Sequence, residues 1–138
     1  MGRVVGIDFG EARVGFALSD TGRMLASPIK SLQGKKNLKE VAASIVAELT
    51  AHDQIEKIVI GLPLHLNGKE SPSSLRVREL KKHMEELTDH PIILWDERLT
   101  TAQVERTLKE ANMGRKKRTK VVDAMAAAAI LQNYLDQA

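Results

Sequence analysis

The amino-acid sequence predicts an α/β protein: a five-stranded mixed sheet flanked by helices. Three observations carry this. Residues 3–32 read as three short β-rich runs separated by turn residues. The pattern then switches to helical spacing at Leu38, Val41, Ala42, Ile45, Val46 and Leu49. Two short apolar runs, IEKIVIGL (55–62) and PIILW (91–95), alternate with further helical patterns, which implies right-handed crossovers and parallel pairing.

Each element has its own signal. RVVGIDF (3–9) is apolar and β-rich, and Gly10 supplies a turn. RVGFALSD (13–20) alternates as a second strand, and Thr21-Gly22 makes a tight connection. Met24–Leu32 is the third strand, with Pro28 tolerated at an edge. These three pair as antiparallel hairpins, whereas strands four and five pair in parallel. PLHLNGKES (63–71) is a loop with Asn67-Gly68 as its turn. Ser71-Pro72 starts a second helix that turns Leu80, Met84 and Leu87 inward. PIILW is expected to be a buried strand. Thr100 and Gln103 form a capping box for a third helix. The last helix is expected from about Thr119 to Leu135.

The chain of 138 residues fits one domain, 1–138, long enough to bury a core without staples. Hydrophobic residues make up 43% and charged residues 28%. There is no cysteine, so disulfides and thiolate metal sites are excluded. MGRVVGIDFG does not read as a signal peptide, and no apolar run approaches the roughly 20 residues that cross a bilayer. A cytoplasmic protein with no membrane partner is expected. The net charge of +3 says little, but its distribution says more. Arg115, Lys116, Lys117, Arg118 and Lys120 fall within six positions. Such a run is either a solvated loop or the footprint of a phosphate backbone. Aromatic residues are only 3%, which argues against stacking bases on a platform of rings.

Four acids stand out for their apolar surroundings. Asp8 lies inside the first strand, Asp96 and Glu97 follow IILW, and Asp123 interrupts VVDAMAAAAIL (121–131). Ligands of open α/β sheets gather beyond the carboxyl ends of the strands, where these elements converge. Each acid also has a plainer role. Asp8 could pair with Arg13, Glu97 could pair with Arg98 or cap a helix, and Asp123 near a helix start could face the macrodipole. Together in one cleft, such carboxylates would repel one another without a cation. Mg2+ or Mn2+, one or two ions, suits oxygen donors and leaves positions open to water and phosphate. The four histidines show no zinc-ligand spacing. Two metals about 3.5–4 Å apart activate water and stabilise the leaving oxygen of a phosphodiester.

GIDFG, RVGFALSD, IVIGLPLHLNG, ILWDERLTT and RKKRTKVVDAMAAAAILQNYL occur in an order and spacing that resemble the YqgF family over essentially the whole chain. These are bacterial RuvX-type proteins. The resemblance implies an RNase H-like fold and a metal-dependent nuclease that processes the 5′ end of pre-16S ribosomal RNA in ribosome biogenesis, or that resolves Holliday junctions. It places the catalytic and metal-binding acids on Asp8, Glu97 and Asp123, with Asp96 the weaker candidate. Under this reading Arg98 and the cations at 115–120 position the nucleic-acid backbone. One departure is that Gly10-Glu11-Ala12 stands where the family often has Gly-Thr-Lys. That removes a hydroxyl and a cation near the first aspartate. Expected partners are structured RNA, the precursor of small-subunit rRNA, or branched DNA, with ribosomal particles, for a monomer or a homodimer. A non-catalytic RNA-binding assembly factor is the alternative outside enzymes.

Overall fold

The computed structural model describes residues 2–10, 12–34, 37–99 and 115–137. The expected helix beginning at Thr100, with its Gln103 cap, lies outside them, as does Glu11. Five strands are present: β1 (Arg3–Phe9), β2 (Arg13–Ser19), β3 (Ala26–Gln33), β4 (Ile55–Leu62) and β5 (Ile92–Asp96). They form one sheet in the order β3-β2-β1-β4-β5. β1 pairs antiparallel with β2, which pairs antiparallel with β3; β1, β4 and β5 run parallel. Pro28 falls on the edge strand β3, beside a register shift at Phe16/Ala17, where a missing N–H costs least.

Among the described residues the helices are α1 (Leu38–Leu49), α2 (Pro72–Glu85) and α3 (Arg115–Gln137). Local chemistry starts the first two. Asn37 caps α1 by accepting from the Glu40 N–H at 2.9 Å. Ser71 and Ser74 form a reciprocal capping box at α2, with Pro72 in the first turn.

Strand periodicity divides the apolar residues between two faces. Val5, Ile7, Phe16, Ile58 and Ile60 pack against α1 and α2. Val4, Ala17 and Val59 pack against Ala127, Ile130, Leu131 and Tyr134 of α3. α3 lies close to the sheet because two strand residues there are glycines. A Cβ on Gly6 would sit 2.6 Å from Leu131 Cβ, and one on Gly15 would sit 1.9 Å from the Asp123 carbonyl oxygen.

Three expectations need correction. α3 (Arg115–Gln137) already includes Arg115, four residues before Thr119, because arginine and lysine are good helix formers and nothing between Arg115 and Thr119 breaks the helix. β5 is half-buried along its length, since it is the last strand of the sheet and only β4 pairs with it among the described residues. Leu87 is half-exposed and lies beyond the end of α2, whereas Leu80 and Met84 point inward together with Val77.

Candidate functional site

Alternation along β1 sends Val5 and Ile7 to the α1/α2 face and therefore Asp8 to the α3 face. Its cross-strand partner is Gly15, and Gly15 in turn pairs with Ser31 of β3. Asp8, Gly15 and Ser31 thus form a row across three strands on the face beneath α3. Gly15, without a side chain, lets the Asp123 backbone rest on the middle of that row.

Asp123 occupies the sheet-facing stripe of α3, in line with Ala127 and Leu131 at i+4 and i+8. Its Oδ2 accepts from Arg13 Nε at 2.8 Å and from Ser31 Oγ at 3.3 Å. Because α3 starts at Arg115, Asp123 is more than two turns inside the helix. The macrodipole acts within the first turn, so it does not account for this carboxylate.

Glu97 opens a single 3-10 turn directly after β5. Its side chain lies over Gly61 of β4: a Cβ there would be 3.0 Å from Glu97 Cγ and 2.6 Å from Ile130 Cδ1. Gly61 follows Ile60, which is level with Ile7 of β1, so Gly61 stands beside Asp8. Glu97 therefore shares the α3 face. The three acids are buried, at 2%, 3% and 8% exposure for Asp8, Glu97 and Asp123.

Asp96 is committed elsewhere. Arg98 donates to it through Nη2 at 2.7 Å, through Nε, and through its backbone N–H at 2.9 Å. The Arg98 guanidinium holds the Asp96 carboxyl below the usual aspartate range. The same contact raises Arg98 further. Arg98 is thus partly engaged, although its side chain remains at the surface and Nη1 also donates to the Leu66 carbonyl at 3.3 Å. Arg115, Lys116, Lys117, Arg118 and Lys120 lie in the first two turns of α3; their side-chain positions are outside the described residues.

A hard divalent cation suits these donors, which are buried carboxylates. Among the described residues, no group of three His, Cys, Asp or Glu side chains is close enough to hold a metal ion. The acids share one face and one end of the sheet, and Asp123 is turned to Arg13 and Ser31. Sequence reading missed those two hydrogen bonds and the two glycine spacers. The only signal was Arg13 itself, weighed as a partner for Asp8.

Solved structures share this arrangement of strands and helices. RuvC of T. thermophilus in complex with Holliday junction substrate superposes with a TM-score of 0.59, covering 99% of this chain and 95% of that one at 14% identity. The fowlpox virus Holliday junction resolvase gives 0.55, with 99% of both chains covered at 13% identity. The fold is therefore RNase H-like. A family model described as "RuvX: Holliday junction resolvase" matches residues 2–137, and the chain belongs to this family of nucleases. Relatives named "Putative pre-16S rRNA nuclease" cover nearly the whole chain. That of Protochlamydia amoebophila is 42% identical over 97% of this chain and 93% of its own. That of Syntrophomonas wolfei is 42% identical over 97% and 94%, and that of Listeria monocytogenes serotype 4b is 40% identical over 97% of each.

Proposed function

We propose that this domain is a divalent-metal-dependent endonuclease that processes the 5′ end of pre-16S rRNA in the cytoplasm. The observation that carries the reading is the burial of Asp8, Glu97 and Asp123 on one face at one end of the sheet. Buried carboxylates demand compensating charge, and Gly15 and Gly61 bring α3 and Glu97 down onto the sheet beside Asp8, so that charge has to be supplied there.

Asp8, Glu97 and Asp123 would hold Mg2+ or Mn2+. When bound, the metal supplies a nucleophilic water and neutralises charge on the phosphodiester oxygens. The chain's own residues do the rest. Gly15 and Gly61 keep the carboxylates close to the sheet surface. Arg13 and Ser31 fix one oxygen of Asp123. The cations at the start of α3 would hold the RNA backbone. The test is cleavage of a precursor RNA with and without Mg2+. Asp8→Asn is expected to abolish cutting and to leave binding within a few-fold; equal cutting by this variant refutes the assignment.

The family description favours a second reading, a nuclease acting on four-way DNA junctions. The two are separated by assaying the precursor RNA and a DNA junction side by side. RNA binding that Asp8→Asn leaves unchanged, with neither substrate cut, would instead indicate a non-catalytic assembly factor.

A further inference from the structure

Resting on that reading, we propose that Leu66 is a wedge that unstacks an RNA base beside the scissile phosphate. Leu66 is 89% exposed, more than any other large apolar side chain described. An apolar side chain left in water gains free energy wherever a partner covers it. Met24 and Leu25 are also exposed, but they lie at the opposite end of the sheet, where Arg23 contacts Gly2 and Glu56.

The place of Leu66 follows from the strand order. β4 lies between β1, which carries Asp8, and β5, which leads into Glu97. The loop leaving β4 at residues 63–71 therefore emerges at the same end of the sheet, between the strands that carry Asp8 and lead into Glu97. Leu66 is its tip.

The tip is also held in place. Ser71 Oγ donates to the Pro63 carbonyl at 2.5 Å and closes the loop at its base. Inside, Gly68 N–H donates to the His65 carbonyl at 2.8 Å and His65 N–H to the Lys69 carbonyl at 2.9 Å. Asn67 Oδ1 accepts from the Lys69 N–H at 3.0 Å. Arg98, the residue after Glu97, donates to the Leu66 carbonyl. Gly68 has φ of +87°, and a Cβ there would meet Arg98 Nη1 at 3.1 Å. A loop fixed this way presents one apolar side chain at little further entropic cost.

RNA is the occupant that the surroundings favour. Two exposed cations flank the tip, Lys69 within the loop and Arg98 against the Leu66 carbonyl, and the chain is net positive. Apolar wedges, leucine among them, insert between base steps and open the backbone there. A phosphodiester inside a stacked strand is hard to reach, and splayed nucleotides are the form in which RNA is read by proteins.

The test uses RNA spanning the 5′ end of mature 16S rRNA, with 2-aminopurine at one purine at a time. Bound to Asp8→Asn protein, one position next to the cut site should brighten. Adding Leu66→Ala should remove that rise, and Leu66→Phe should keep it. In the otherwise native protein, Leu66→Ala should lower kcat about tenfold with KM within about threefold. A fluorescence rise that persists in Leu66→Ala overturns the wedge. RNA that is bound and cut with no bright position also overturns it, while the nuclease reading survives. A rise that Leu66→Ala removes, without cutting by the native protein, supports the wedge and counts against the nuclease. No binding at all sinks both.

Discussion

Arg13 and Asp123 are 110 residues apart in sequence, yet Arg13 Nε donates to Asp123 Oδ2 at 2.8 Å. The pair ties the start of β2 to α3 across the candidate site. Their side chains are 30% and 12% exposed, so solvent screens the carboxylate little. Arg13→Met would leave a buried charge short of its guanidinium. A loss of about 1–3 kcal/mol is expected in denaturant unfolding with EDTA present. Millimolar Mn2+ should recover much of that loss, because a cation takes over the neutralisation. The same loss in both buffers would show that Asp123 is not a cation ligand.

That ion pair also marks where sequence reading stops. β1 and β4 are legible to the residue and α1 by its spacing, because apolar periodicity and turn residues are local signals. The cap at Ser71-Pro72 was legible for the same reason. The acids at 8, 97 and 123 stood out because charges in apolar runs are rare. Their relation to Gly15, Ser31 and Gly61 was not legible, since it depends on register between strands far apart in sequence. That α3 already includes Arg115 is not legible either, because a run of cations reads as a loop by charge and as a helix by propensity. Five apolar residues look the same in a central strand and at an edge, so the half-burial of β5 is not legible in PIILW.

The two glycine spacers should respond differently. A Cβ at Gly15 would sit 1.9 Å from backbone, the Asp123 carbonyl, so α3 must lift. Gly15→Ala is expected to lose about 3 kcal/mol or more of stability. A Cβ at Gly61 would meet side-chain atoms, Ile130 Cδ1 and the Glu97 chain, which can rotate aside. Gly61→Ala should therefore lose only about 1 kcal/mol, yet it should slow cleavage by about tenfold or more through displaced Glu97. Equal unfolding midpoints for the two variants would contradict this difference.

The Asp96–Arg98 pair makes a statement about acid. Arg98 holds the folded-state value of Asp96 below that of the unfolded chain. The unfolded chain then binds the proton more readily, so stability falls as protons are added. The contribution is fully present above the ordinary aspartate value, about 4, and is lost as pH drops through the lower folded value. Wild type should exceed Asp96→Asn in stability at pH 7. That gap should narrow below about pH 4, as followed by urea midpoints across pH. A gap that widens in acid would contradict the assignment of this pair.

The basic start of α3 opposes local helix energetics. Arg115, Lys116 and Lys117 open the helix, where the macrodipole favours anions, and its first turn holds no acid. Helix electrostatics alone disfavours these cations there, whereas a bound polyanion would favour them. Replacing Arg115 and Lys116 with glutamate should therefore move two readouts in opposite directions. Helix energetics should improve by about 0.3–1 kcal/mol per site at low salt, read as a higher unfolding midpoint. RNA affinity should fall. The slope of log affinity against log salt should also shrink by about 0.7 for each phosphate of single-stranded RNA that the protein no longer neutralises. Such a gain in stability at the expense of binding is what functional charges produce. A salt slope unchanged from wild type would place the RNA backbone on some other surface.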